Sequence, residues 1–186
     1  MKQALIVIDV QESFRHASYW REDDLPVFLA NMQSLTDHCH ASDIAIVAVF
    51  HHILAGKEAG AFAPDSGLVR SMPELAIHPD AVFYKQVHSA MFAMAADGNT
   101  LEQWLRSHDI EQLLVSGIRT EQCCETTTRH ASDMGFEVRY VTDATLTFPM
   151  RSRSGREVLP AEIRAHTELV LDRRFATIVS TADALA

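Results

Sequence analysis

The chain has 186 residues, 47% of them hydrophobic and 22% charged, and carries a formal net charge of −9. That size and balance fit one globular unit with a full core and exclude a disordered chain. The acidic charge excludes a basic nucleic-acid-binding surface and disfavours docking to anionic membranes, and the longest apolar runs, Ala4 to Val10 and Ile44 to Phe50, are too short to span a bilayer.

Met1-Lys2 leads straight into the first apolar run, but Asp9 interrupts it and no small-residue cleavage site follows, so it reads as a strand and not as a signal peptide. There are three cysteines, two of them adjacent, which makes no disulfide framework. Reduced thiols point to a cytoplasmic location. No repeat or linker divides the chain, so residues 1–186 are expected to form a single domain.

In chain order, Ala4–Val10 reads as a buried central strand. A helix follows from Asp24 to His40, capped by Asp23 or Asp24, with Pro26 in its first turn. Ile44–Phe50 is a second buried strand and Val82–Gln86 a shorter third. Thr100–His108 is helical, capped by Asn99 or Thr100, and Gln112–Gly117 is the fourth strand. A helix from Glu121 to Met134 stops at Gly135, and Phe136–Val141 is the fifth strand. Pro160–Leu171 is the last long helix and Ala176–Val179 a closing strand. Apolar strands alternating with helices predict an α/β fold: a doubly wound, mostly parallel six-stranded sheet with helices on both faces, a Rossmann-like three-layer sandwich. The segment from His51 to Asp80 breaks this rhythm with Gly56, Gly60, Gly67, Pro64, Pro73 and Pro79. It reads either as a lid over the carboxyl end of the second strand or as an excursion packed on another subunit.

In such sheets ligands bind at the carboxyl ends of the strands, and three ionisable residues fall there. Asp9 ends the first strand in apolar surroundings, where a lone charge is costly. It is either a cap or a buried ion-pair partner, or it is functional. Lys85 ends the third strand; an exposed edge position is the ordinary reading for such a lysine. Cys123 falls in the first turn of the helix that follows the fourth strand. There the backbone N–H groups and the helix dipole would lower its pKa and hold an oxyanion, unless it is an inert core thiol. Asp9 and Lys85 would satisfy each other's charge, and a thiol between them would gain a base and a cation. Cys124 is expected to pack into the core.

Leu114-Val-Ser-Gly-Ile-Arg-Thr-Glu-Gln-Cys-Cys-Glu-Thr-Thr127, with Ala4-Leu-Ile-Val-Ile-Asp-Val-Gln-Glu-Ser-Phe14 and Tyr84-Lys85 before Ser89-Ala-Met-Phe92, resembles the isochorismatase-like hydrolase superfamily. The resemblance runs from Ala4 to about Phe148, and nicotinamidases, N-carbamoylsarcosine amidases and ureidoacrylate hydrolases belong to that superfamily. It implies an Asp–Lys–Cys triad of Asp9, Lys85 and Cys123, with a thioester on the cysteine, in an enzyme that hydrolyses a carbon–nitrogen bond of a small molecule. It also implies a cis peptide at Ile118–Arg119, an oxyanion hole from the backbone N–H groups of Arg119 and Cys123, and a homo-dimer or homo-tetramer. Met91, Phe92 and Met94 look like exposed apolar contacts for such an assembly.

Nicotinamidases pair an Asp-x-His with a further His around a metal. Here Phe50-His51-His52 stands instead, so neither a metal nor another cofactor is expected, and nicotinamide is disfavoured as substrate. True isochorismatases lack the cysteine. Arg119 would either clamp a substrate carboxylate or snorkel over the sheet edge. Gln11 would face the site, and Phe14, Trp20, Phe50 and Phe148 would line a pocket or pack in the core. His88 and Ser89 are weaker candidates, and Met150–Gly155 reads as a flap or a subunit contact. Two rival readings keep the fold without this chemistry: a ligand-binding relative, and a redox sensor using Cys123 and Cys124.

Overall fold

The run Gln3–Ile8 is apolar on both sides of its pleat, and it forms the central strand β1 of a six-stranded, all-parallel sheet. A computed structural model describes residues 1–54 and 59–186 of the chain. The strands are β1, β2 (Ala45–His51), β3 (Ala81–Lys85), β4 (Gln112–Ile118), β5 (Glu137–Leu146) and β8 (Thr177–Val179), in the order β3-β2-β1-β4-β5-β8. The chain builds outward from β1 to β3, then returns to lay β4 on the other side of β1. The carboxyl ends of β1 and β4 therefore flank the point where the winding reverses, which is where a doubly wound sheet opens a crevice.

Helices cover both faces. On one, α1 (Leu25–Ala41) packs Phe28, Met32 and Leu35 against Leu5 and Val7 of β1. On the other, α2 (Leu101–Ser107), α3 (Glu125–Asp133) and α4 (Pro160–Leu171) bury Leu105, Ala131 and Leu171 against the layer that contains Ala4, Ile6 and Ile8. The alternation of β1 between two cores is the period of two that a strand imposes. Thr100 caps α2 in a reciprocal capping box with Gln103. Asp24 occupies the cap position of α1 without a side-chain capping bond, and sits 3.8 Å from Arg164 instead.

Several boundaries differ from the sequence expectations. β5 runs on to Leu146 after a register shift opposite Val115 and Gly117, so it reaches further toward the crevice than Val141. The helix expected from Glu121 starts at Glu125, because Thr120–Cys124 forms a π-helical turn in which Cys124 N donates to Arg119 O (3.1 Å). Met150–Arg151 (β6) and Glu157–Val158 (β7) form a two-stranded antiparallel ribbon, with Gly155 at φ 85° in the turn between them. A last short helix, α5 (Thr181–Ala184), had no periodic signal. Of the expected exposed apolar residues, Phe92 and Met94 are exposed, but Met91 is buried, its N–H capped by Ser89 Oγ (3.2 Å). Gly56 of the irregular loop lies outside the described residues. No helix among the described residues is long and apolar enough to cross a membrane.

Gly117 sets how closely β4 approaches β1. It sits at φ 128°, and a Cβ there would lie 2.0 Å from the carbonyl oxygen of Ile8. Gly117→Ala is therefore expected to destabilise the fold by about 3 kcal/mol or more, since both the conformation and the space exclude a side chain. The urea midpoint measures it, and a shift near zero would mean that β1 and β4 separate without cost.

Candidate active site

Asp9 follows the last residue of β1 in a left-handed conformation (φ 56°), with its N–H donating to Val49 O (2.8 Å). Asp tolerates that region better than most residues, and the turn leaves its carboxylate wholly buried beside the crevice. Lys85, last residue of β3, is also buried, and its Nζ donates to Asp9 Oδ2 (2.7 Å) and to Cys123 Sγ (3.3 Å). Residues 76 and 38 positions from Lys85 thus meet on one ammonium group. Lys85 is not an exposed edge lysine: its pleat side is that of Phe83, which faces the core.

Burial raises the Asp9 carboxyl above its ordinary range despite Lys85 beside it. Burial alone would depress the Lys85 ammonium, but the charges of Asp9 and Cys123 outweigh it and hold the lysine above its usual value. The Cys123 thiol is pushed up to about 12, by burial first and then by the Asp9 charge, with Lys85 acting the other way. This corrects the expectation of a thiolate lowered by a helix dipole. Cys123 lies in the π-turn ahead of α3, and burial, followed by the charge of the carboxylate next to it, sets its pKa. Asp9 Oδ1 is buried with no full hydrogen-bond partner among the described residues, although the Cys123 thiol is close enough to lower the Asp9 pKa as a donor.

Cys123 lines a pocket of about 140 Å³. The long loop supplies part of its wall through Ile53 and Phe62, and Phe62 meets Phe14 edge to face at 5.0 Å. Tyr19, His51, His88, Arg119 and Gln122 complete the lining. His51 is pushed down to about 4, by burial and then by Lys85, so its ring is neutral at pH 7. Its Nδ1 lies 3.4 Å from Lys85 Nζ, which needs a lone pair there and leaves the proton on Nε2.

Of the residues expected to contact substrate, Phe14 and Arg119 line this pocket and four do not. Gln11 spends its amide on the backbone of His51, accepting from its N–H (2.7 Å) and donating to its carbonyl (2.8 Å), and so extends the β1–β2 ladder. Phe50 turns toward Tyr84, at 6.1 Å, on the other side of the pleat from His51. Trp20 packs on Phe148 at 5.0 Å, behind the pocket, and Phe148 lines a separate cleft beside Leu159 and Pro160. Ser89 is engaged with His130 Nδ1 (3.0 Å). Tyr19 and Phe62 were missed, since neither lies on a periodic element.

Arg119 is 7% exposed, which overturns the surface-snorkelling alternative. Its guanidinium lies 2.8 Å from Glu121 Oε1 and 4.7 Å from the Tyr19 ring centroid. The Ile118–Arg119 peptide bond is cis. Cys124 is fully buried, with its thiol raised well above the ordinary value, as expected of a core cysteine. No group of three His, Cys, Asp or Glu among the described residues is placed to hold a metal.

The Isochorismatase domain family matches residues 3–182. The chain belongs to the isochorismatase family. It is similar to the uncharacterized isochorismatase family protein YrdC of Bacillus subtilis, at 27% identity over 97% of this chain and 92% of that one. It is also similar to a nicotinamidase of Escherichia coli, at 26% identity over 97% and 96% of the two chains. Among solved structures, an isochorismatase-family protein from Burkholderia xenovorans is 30% identical with a TM-score of 0.83, covering 98% of this chain and 85% of that one. The fold of an N-carbamoylsarcosine amidase from Thermoplasma acidophilum matches with a TM-score of 0.75 at 17% identity. The isochorismatase-family chain is thus a hydrolase whose strand-end crevice brings Asp9, Lys85 and Cys123 together.

Proposed function

We propose that this isochorismatase-family hydrolase cleaves a carbon–nitrogen bond of a small amide, carbamoyl or ureido compound through a thioester on Cys123. The observation that carries the reading is the single ammonium of Lys85 bonded to both Asp9 and Cys123, the last of which lines a small pocket. The names of its relatives, nicotinamidase and N-carbamoylsarcosine amidase, support the bond type.

The Cys123 sulfur attacks the carbonyl carbon while Asp9 takes the thiol proton. The backbone N–H groups of Arg119 and Cys123 receive the oxyanion. The tetrahedral intermediate collapses, its C–N bond breaks, and the leaving nitrogen takes the proton from Asp9. Water then gives a proton to Asp9 and attacks the thioester; the C–S bond breaks, the sulfur recovers that proton, and a carboxylic acid leaves. Lys85 stays charged throughout and holds the carboxylate in line. The buried free cysteines support action in a reducing cytoplasm, and exposed Phe92 and Met94 beside the edge strand β3 support a homo-oligomer.

Ammonia release from a panel of small primary amides, ureas and carbamoyl compounds tests the reading. Cys123→Ala is expected to lose activity by about 10³-fold or more, and Cys124→Ala to keep it within a few-fold. No release from any compound by the unaltered enzyme, or a Cys123→Ala protein as active as the parent, would promote the binding or redox reading instead.

A further inference from the structure

The wall of the Cys123 pocket carries a cation besides the Lys85 ammonium bonded to the thiol, and the chemistry proposed for Cys123 leaves its side chain unused. Arg119 lines the same cavity as Cys123, and its side chain is 9% exposed. Lys85 is committed to Asp9, Cys123 and His51. Arg119 has one ion pair, from a terminal nitrogen to Glu121 Oε1 at 2.8 Å, and its Nε is buried without a partner among the described residues. A guanidinium presents five donors in one plane, so the contacts to Glu121 and to the Tyr19 side chain still leave part of that fork, the Nε included, unsatisfied.

The surroundings fix the fork and do not quench it. Glu121 is itself anchored, its other carboxylate oxygen accepting from Thr147 Oγ1 (2.6 Å), so it holds Arg119 from behind. Phe148 backs the guanidinium at 5.8 Å and Tyr19 packs against it at 4.7 Å, and both rings favour a cation. Of the other walls, Phe14, Ile53 and Phe62 are apolar, while His51, His88 and Gln122 are polar but carry no guanidinium fork. A buried and oriented arginine with an unfilled donor, in the wall of the same cavity as a nucleophile, is suited to receive a planar anion.

We propose that Arg119 binds a carboxylate carried by the substrate, so that the enzyme acts on short acids bearing an amide or ureido group. This rests on the reading of Cys123 as the nucleophile. The cavity of about 140 Å³ has room for roughly five waters' worth of ligand, at about 30 Å³ each. The carboxylate and the scissile carbonyl are therefore separated by one or two carbons. Long or bulky acyl groups do not fit beneath Phe62.

Malonamate and malonamide have the same number of heavy atoms and differ in one end, carboxylate against amide. Their binding to the Cys123→Ala protein, measured by calorimetry, reads the subsite without turnover. Malonamate is expected to bind about tenfold or more tighter than malonamide. Arg119→Gln in that background is expected to abolish the preference while leaving malonamide binding within about twofold. Arg119→Lys, which keeps the charge beside Glu121 and guards against misfolding, is expected to fall between them, because the fork is lost. Malonamate and succinamate binding no better than their diamides, with Arg119 intact, would overturn the proposal. Ammonia release by the unaltered enzyme separates the two readings. Arg119-dependent binding of malonamate without its hydrolysis removes the hydrolase reading and keeps the subsite. Equal hydrolysis of malonamate and malonamide does the reverse.

Discussion

Asp9→Asn is expected to cost about 3–5 kcal/mol of folding stability, because it strips the counter-charge from an ammonium with no access to water. Lys85 has one way to avoid that cost, which is to lose its proton. From its ordinary 10.5, deprotonation at pH 7 costs about 5 kcal/mol at 1.36 kcal/mol per pH unit, so that escape caps the penalty at the same size. Lys85→Met leaves the Asp9 carboxylate in the mirror-image position, and a similar loss is expected. The double variant Asp9→Asn, Lys85→Met removes both charges and keeps the volumes, so much of the stability should return. The cycle is read by urea unfolding, and the two single costs should exceed the double cost by several kcal/mol. Simple additivity would show that the 2.7 Å contact contributes nothing as a pair. Hydrolysis should stay lost in all three proteins, by about 10³-fold or more, which separates what the pair does for the fold from what Asp9 does as a base.

The inner strands are legible in the sequence for one physical reason, while the grouping of Asp9, Lys85 and Cys123 is implied there by the family resemblance. β1 and β2 are buried on both faces and read as nearly unbroken apolar runs, so a charge at the end of such a run stands out. Asp9 is conspicuous because nothing about packing asks for it, whereas Lys85 ends the edge strand β3, where an exposed lysine is ordinary, and only the fold shows it buried. The start of α3 was not legible, because a π-turn uses the same Thr-x-x-Cys residues that would cap an ordinary helix, and only backbone geometry tells them apart. The thiol's high pKa comes first from burial and then from the Asp9 charge, and the depth of that burial is not given by spacing. Gln11 misled because its amide bonds to backbone, a partner with no sequence signature. Phe50 and His51 were decidable: the period of two puts His51, not Phe50, on the side of Val47 and Val49, the side where Cys123 packs. Tyr19 and Phe62 come from aperiodic segments, and only the folded loop brings them to the pocket.

Cys123 is expected to resist iodoacetamide at neutral pH, and to resist it less once Asp9 is gone. With the thiol near 12, about one molecule in 10⁵ carries a thiolate at pH 7, against a few per cent for an ordinary cysteine near 8.5, so alkylation should be slower by about three orders of magnitude. The negative charge of Asp9 is one cause of that high value, while Lys85 opposes it. Asp9→Asn therefore makes the thiol more acidic, and alkylation of the Cys123 peptide, followed by mass spectrometry, should speed up by about tenfold or more. Hydrolysis should move the other way, because Asn cannot accept the proton during attack. The opposite signs distinguish two ways of activating a cysteine. A preformed thiolate would lose little turnover with Asp9 and would alkylate readily in the unaltered enzyme. A thiol that ionises only as it attacks needs the carboxylate beside it, and at rest burial together with that same carboxylate keeps it protonated. If Asp9→Asn slowed alkylation and hydrolysis together, Asp9 would be supporting a thiolate, and the proton transfer assigned to it would have to pass to another group, of which His51 and His88 are the pocket-lining choices.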